Sequence, residues 1–231
     1  MRARSAWRSG LAAAALWAAA GAAAALEPQA GSPAVSCLRD DALPRCELQA
    51  SQPLQFPRSA MRIEKRHGTV LARMDFSGPT EPPQVTVLYE EGGAAFADAL
   101  RRHLASSRLP CLAEGQQLSS VEAFQFQMEG LPPLAFPDMG LAEFLPLVDA
   151  SAKDGVQFDF SEMGCPFDVT LRLYRPWAAN GVRERGPADA RRAGFIAWLR
   201  GVSLTLPKSA AGRLLGKDLN LSVPCTQLDL R

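Results

Sequence analysis

The sequence predicts an α+β fold of two small units, each an antiparallel sheet with one main helix packed on one face. Two observations predict it. Stretches in which apolar and polar residues alternate, as they do in half-buried strands, occur in both halves of the chain. Each half also holds one amphipathic stretch with helical spacing. The order strand, strand, helix, strand therefore occurs twice, which predicts an internal duplication.

In the first half, alternation predicts strands at residues 68–76, 84–90 and 121–128. In the second of these strands, alternation places Val85, Val87 and Tyr89 on one face. A helix follows the second strand, because apolar residues recur at every fourth position: Phe96, Leu100 and Leu104.

Gly92 and Gly93 join the second strand to this helix. A glycine turn before a helix can bind phosphate through free backbone N–H groups. Here Glu90 and Glu91 place negative charge just before the turn, and no phosphate-binding motif is present. The glycine pair is therefore interpreted as a corner in the backbone.

In the second half, alternation predicts a strand at 167–174, a turn and short strand at 175–187, and a closing strand at 219–230. Pro224 would force a bulge or an edge position in the closing strand. A second helix is predicted to begin near Pro187, with an apolar stripe of Phe195, Trp198, Leu199 and Val202. Trp177 follows Pro176 in a loop, where structural packing is favoured over binding.

The predicted organisation begins with a cleaved signal peptide at 1–25, in which three arginines precede an apolar run. It continues with an N-terminal extension at 26–55, a first unit at 56–130, a connector at 131–164 and a second unit at 165–231. Export by this route predicts a periplasmic protein. Loss of Arg2, Arg4 and Arg8 with the signal lowers the Lys and Arg count from 25 to 22 against 24 Asp and Glu, which argues against a nucleic-acid partner.

The cysteines predict disulfide bonds, because the chain is expected to enter an oxidising compartment. Cys37 and Cys46 could close a short loop, which would leave one pair and one further cysteine among Cys111, Cys165 and Cys225. That cysteine would be a free thiol or would pair with another molecule. The sequence does not choose between pairings. No metal site is expected, because there is no C-x-x-C pair and His67 and His103 are the only histidines.

A catalytic pair of Cys111 and His103 would make the protein a secreted hydrolase, since a thiol nucleophile needs a nearby base. No known signature surrounds these two residues, and an exported cysteine is more often half of a disulfide. The sequence therefore predicts no enzyme and no cofactor.

The first unit resembles the C-terminal domain of TonB-type energy-transducing proteins. The resemblance rests on Phe56-Pro57, on GTVLARMDF at the family's first strand, and on QVTVLYEEGG at its second strand and corner. AAFADALRRHL matches the core helix and VEAFQFQM the last strand, so that about 75 residues are covered. The second unit is similar to a divergent copy.

The resemblance implies a non-catalytic binding domain, because the family takes up partners by adding an extended segment to a sheet edge. It implies a segment of an envelope or outer-membrane protein as the partner, and it leaves a homodimer open. The edge residues would be Val121, Phe124, Gln125, Phe126 and Gln127 in the first unit and Leu219, Asn220 and Leu221 in the second. A structural cell-envelope protein is the alternative.

Overall fold

The computed structural model describes residues 47–60, 67–128 and 134–230. All of them belong to one unit that runs from Val35 to Arg231. The predicted α+β class is confirmed. The predicted signal peptide, most of the extension, Cys37 and Cys46 lie outside the described residues. Within the described residues, no helix is both long enough and apolar enough to cross a bilayer.

The strands and helices divide into an N-terminal lobe up to residue 128 and a C-terminal lobe from residue 134. The N-terminal lobe contains β1 (Gln49–Ala50), β2 (Gly68–Phe76), β3 (Gln84–Glu91), α1 (Ala94–Ala105), β4 (Ser107–Arg108) and β5 (Leu118–Phe126). The C-terminal lobe contains β6 (Met139–Gly140), α2 (Leu141–Phe144), β7 (Gln157–Asp159), β8 (Phe167–Arg172), β9 (Gly181–Glu184), α3 (Ala193–Gly201), α4 (Lys208–Leu214), β10 (Asp218–Val223) and β11 (Gln227–Asp229).

The N-terminal lobe is built around an antiparallel sheet in the order β3-β2-β5. Alternation along β2 turns Val70, Ala72 and Met74 toward α1, where they pack against Phe96 and Leu100. All five side chains are at most 4% exposed. Full burial of each large apolar side chain contributes about 1.5–3 kcal/mol to folding. The apolar face of the amphipathic helix α1 is thus buried against this sheet.

A glycine corner joins β3 to α1, as the sequence predicts. Gly92 and Gly93 have φ values of 97° and 108°, which residues with a side chain rarely adopt. A Cβ on Gly92 would lie 2.4 Å from the carbonyl oxygen of His67. Glycine is therefore required here by backbone geometry.

A β-bulge in β3 changes the face on which Tyr89 lies. Ala72 pairs with Val87, but the preceding Leu71 pairs with Tyr89, so that Leu88 is the extra residue. The predicted common face of Val85, Val87 and Tyr89 is therefore wrong. The inserted residue shifts the alternation by one, as bulges do, and places Tyr89 on the face away from α1.

The C-terminal lobe contains a four-stranded sheet in the order β6-β10-β8-β9. β8 pairs with β9 and β10 in antiparallel fashion, whereas β6 adds to β10 in parallel through Met139 and Gly140. The expectation of a purely antiparallel sheet is therefore wrong for this lobe. The strand order β9-β8-β10 is the same as the order β3-β2-β5, and in both lobes the helix follows the second strand of the hairpin.

The segment expected to be a connector is part of the C-terminal lobe from residue 134 onward. Its Phe144, Val148 and Phe160 are at most 2% exposed and join the core that surrounds Phe195 of α3. The closing strand predicted at 219–230 is divided into β10 and β11, because Pro224 ends the first pairing and β11 pairs with β7 instead.

Arg192 ties several loops of this lobe together just before α3. Its guanidinium pairs with Glu184 at 3.1 Å, donates to the carbonyl oxygens of Met163 and Gly164, and lies 4.3 Å from the ring centre of Phe167. Side-chain exposure of Arg192 and Glu184 is only 11% and 15%. The charge is therefore buried but compensated, which is the condition under which such a pair is stable.

Candidate binding surface

Both faces of the N-terminal sheet are covered by other parts of the protein. α1 covers one face. On the other face the register places Tyr89, Leu71 and Ala123 in one row, and Leu71 is fully buried. The C-terminal lobe contacts this row, because Trp177 lies against Tyr89 and a Cβ on Gly216 would lie 2.5 Å from that of Ala123. Among the residues that the structure describes, none pairs with the outer edge of β3 or of β5.

β5 is the longer and more regular of the two edge strands. Each of its residues from Leu118 to Phe126 pairs with β2 without a break, and no described residue pairs with its other side. The strand begins three residues before the predicted position. Backbone N–H and C=O groups along such an edge can accept a further strand.

The structure shows where the predicted residues of β5 lie. Phe124 and Phe126 face α1 and contact its core. The side-chain amide of Gln125 faces the other way and donates to the carbonyl oxygens of Arg213 and Leu215, at 2.7 and 3.1 Å. Gln127, just beyond the strand, donates to Gln125. Gln125 therefore joins the two lobes, whereas the side chain of Val121, four residues earlier, is partly buried.

The predicted residues of the second unit lie in an interior strand. β10 pairs with β8 on one side, and on the other side β6 pairs with it at Leu221 and Ser222. Leu221 therefore does not lie at a free edge, contrary to the prediction. Asn220 accepts from Thr170 and donates to Asp138 at 2.8 Å, so its amide is also used within the lobe. The extended segment that leads into β6 already occupies this edge.

A shallow cavity of about 310 Å³ lies at this end of the C-terminal sheet. Its polar lining includes Asp138, Glu143, Asp168, Arg185 and Asn220. Asp138 is held by Asn220, and Glu143 accepts from the backbone N–H of Gly140 at 3.0 Å. These contacts explain the positions of the two carboxylates by local structure.

The described cysteines and both histidines make structural contacts. Cys165 and Cys225 form a disulfide, and Cys111 is also disulfide-bonded, so its sulfur is not a free thiol nucleophile in this structure. Nδ1 of His103 lies 2.7 Å from the carbonyl oxygen of Gln52, and Nδ1 of His67 accepts from the N–H of Met128. Within the described residues, no group of three or more metal-binding side chains occurs.

Arg172 lies between the two lobes. It makes a two-pronged contact with Asp218 on the neighbouring strand, at 2.7 and 3.1 Å, and lies 4.0 Å from Glu122 of β5. The hydrogen bond to Asp218 is the main cause that raises the pKa of Arg172. This guanidinium remains charged and lies close to both Asp218 and Glu122.

The aromatic pair of Tyr89 and Trp177 was not predicted. Their ring centres are 4.2 Å apart, and Trp177, at 37% exposure, is the large hydrophobic side chain exposed among the described residues. Burial of the phenol is the main cause that raises the pKa of Tyr89, and the nearby charge of Glu91 and a hydrogen bond to it add to this. The sequence signal was a tryptophan in a proline-containing loop, but the bulge that brings Tyr89 to it leaves no mark in the alternation.

No family model matches the chain, and no curated protein or solved structure is significantly similar to it. The resemblance to the TonB C-terminal domain therefore stays a prediction from the residue pattern.

Proposed function

We propose that the protein is a non-catalytic binding module of the cell envelope, which takes up an extended segment of an envelope protein at the outer edge of β5. The observation that carries the proposal is an edge of nine regularly paired residues, in a sheet whose two faces are already covered. The feature available to a partner is therefore backbone, and strand addition obtains its affinity mainly from main-chain hydrogen bonds.

The C-terminal lobe supports this proposal from within the same chain. Its strand β10 has the position in the strand order that β5 has in the N-terminal lobe. There β6, a two-residue extended segment, adds to the outer edge at Leu221 and Ser222. In the proposed complex, the envelope protein supplies to β5 what Met139 and Gly140 supply to β10.

Proline substitution at two neighbouring positions of β5, Ser120→Pro and Val121→Pro, tests the proposal. Neighbouring residues of a strand direct their N–H groups to opposite sides, so one substitution removes a bond to β2 and the other removes only an outward donor. We expect the substitution that removes a bond to β2 to lower Tm by about 5 °C or more. The substitution that removes only an outward donor should leave the protein folded but abolish partner binding. Gln125 is a poorer choice because its side chain joins the lobes.

The measurements are recovery of envelope proteins by the immobilised mature protein and hydrogen exchange of the β5 amides with and without the recovered partner. Slower exchange at alternate β5 residues would support strand addition. Equal recovery by the variant that keeps its fold, with unchanged exchange along β5, would exclude this edge as the binding site.

A further inference from the structure

We infer that Tyr89 and Trp177 form a second recognition surface, which we call the aromatic step. It contacts an extended protein segment that lays a proline or aliphatic side chain on Trp177 and a basic side chain beside Glu90. This surface borders β3, at the opposite edge of the sheet from β5, so the inference does not depend on the site proposed at β5.

The first supporting observation is that the bulge in β3 directs Tyr89 to this position. Without the extra residue Leu88, alternation would turn Tyr89 toward α1, on the face of Val85 and Val87. Bulges are frequent where a side chain must be re-aimed. The bulge in this edge strand thus places the ring of Tyr89 beneath Trp177.

The second observation is that the loop carrying Trp177 is held rigidly at its base. Asn180 is 3% exposed, and its side-chain oxygen accepts from the N–H groups of Tyr174 and Arg175, at 2.9 and 3.1 Å. Its side-chain nitrogen donates to the carbonyl oxygens of Leu199 and Val202, at 3.0 and 2.7 Å. A fully bonded buried amide thereby fixes the loop whose tip is an exposed tryptophan.

A rigid, partly exposed tryptophan suits binding, because little conformational entropy is lost when a partner packs on it. Tryptophan and tyrosine also dominate the energetics of many protein interfaces. The outer edge of β3, with which no described residue pairs, runs from Gln84 to Glu91 beside the ring of Tyr89. An extended segment that follows this edge would reach Trp177 at its end.

The charge at this end of β3 favours a basic residue in the partner. Glu90 pairs with Val70 and therefore lies on the α1 side of the sheet, opposite to Tyr89; it is exposed and makes no salt bridge with any residue that the structure describes. Glu91, on the same face as Tyr89, accepts the hydrogen bond of that phenol. Acidic side chains at the rim of an interface select a partner of opposite charge and speed its association. Neighbouring residues of an extended segment point to opposite faces, so a proline or aliphatic residue next to lysine or arginine can contact Trp177 on one face and Glu90 on the other.

Site-specific photocrosslinking on the full protein in its own envelope tests the inference. The photoreactive residue p-benzoylphenylalanine replaces Trp177, Thr86 on β3, Val121 on β5 or, as the matched exposed control on another edge strand, Arg183. We expect a discrete crosslinked product from positions 177 and 86, with the crosslinked peptide rich in Lys or Arg next to an apolar residue, and none from 183. Products from 121 alone would overturn the aromatic step and leave the β5 proposal standing. Products from 177 and 86 alone would do the reverse.

A binding titration with defined probes supplies a second test. In a Trp198→Phe variant of the mature protein, Trp177 is the remaining tryptophan of the described residues, and its fluorescence reports contact. The probes are a synthetic peptide of alternating valine and lysine with one central proline, and its counterpart with glutamate for lysine. We expect the lysine peptide to change the emission and the glutamate peptide to bind at least about tenfold more weakly. Equal binding of both peptides, or a response to soluble peptidoglycan fragments instead, would overturn the inference.

Discussion

The ring of Trp177 in the C-terminal lobe lies on the ring of Tyr89 in the N-terminal lobe, with centres 4.2 Å apart and planes inclined by 40°. The phenol beneath is held neutral, because burial and the neighbouring Glu91 raise its pKa. The lobes also meet where Gln125 donates to Arg213 and Leu215 at the end of α4, where Ala123 lies against Gly216, and where Arg172 approaches Glu122.

A double-mutant cycle measures the strength of this aromatic contact. The variants are Tyr89→Ala, Trp177→Ala and the pair, and urea unfolding gives the free energy of each. Aromatic pairs in tilted geometry contribute about 0.5–1.5 kcal/mol beyond their buried area, so we expect a coupling energy in that range. Strictly additive losses would show that the two rings are neighbours without mutual stabilisation.

Asn180→Ala should be among the more destabilising single substitutions in the chain. It removes the side-chain partner of two backbone N–H groups and two carbonyl oxygens in a largely buried place, and we expect a loss of about 2–4 kcal/mol in the free energy of unfolding. Asn220→Ala is the matched control, because that amide makes two side-chain contacts in a more exposed position. A loss of the same size in both variants would contradict the special role of Asn180.

Two neighbouring arginines allow the buried ion pair to be tested directly. Arg192→Met leaves Glu184 without its cation inside the protein, and we expect a loss of about 3–5 kcal/mol. Arg191 pairs with Asp189 at the surface, with 62% of its side chain exposed, so Arg191→Met should cost less than about 1 kcal/mol. Chemical denaturation of the two variants measures both losses in the free energy of unfolding.

If the unpaired carboxylate causes the loss at Arg192, a second substitution should restore much of the stability. We expect the Arg192→Met, Glu184→Leu double variant to be more stable than Arg192→Met alone. A further decrease would show that Glu184 stabilises the loop through its contact with the backbone N–H of Asp189, even without its cation.

The disulfide between Cys165 and Cys225 closes a loop of 60 residues. Closing a loop of this length restricts the unfolded chain enough to contribute about 4 kcal/mol. The Cys165→Ser, Cys225→Ser double variant should lose that amount in thermal or urea unfolding. Peptide mapping without reductant should recover the two half-cystines in one linked peptide, and a link from either one to Cys111 would contradict the structure.

Regular elements with one buried face could be predicted from the sequence because their periodicity is strong. β2 has the predicted bounds, and α1 follows the glycine corner with Phe96, Leu100 and Leu104 buried, as expected. In these elements the positions that are apolar in the sequence are the positions that are buried in the structure.

Other features depend on contacts that are distant in sequence. The two-residue strand β6 and the short helix α4 are too short to show a period. The parallel addition of β6 changes β10 from the expected edge to an interior strand, and one inserted residue, Leu88, moves Tyr89 to the other face. The aromatic step could not be predicted for that reason, since it needs both the bulge and the loop that Asn180 fixes.

Leu71 is fully buried between Tyr89 and Ala123, on the face of the N-terminal sheet that the C-terminal lobe covers. Separation of the lobes would bring this side chain into water, along with the rings and glycines that surround it. We therefore expect a fragment that ends near residue 130 to expose the apolar row of Tyr89, Leu71 and Ala123 and to aggregate. For the same reason we expect each half to need the other for stable folding, so that a minimal version of the protein must retain both.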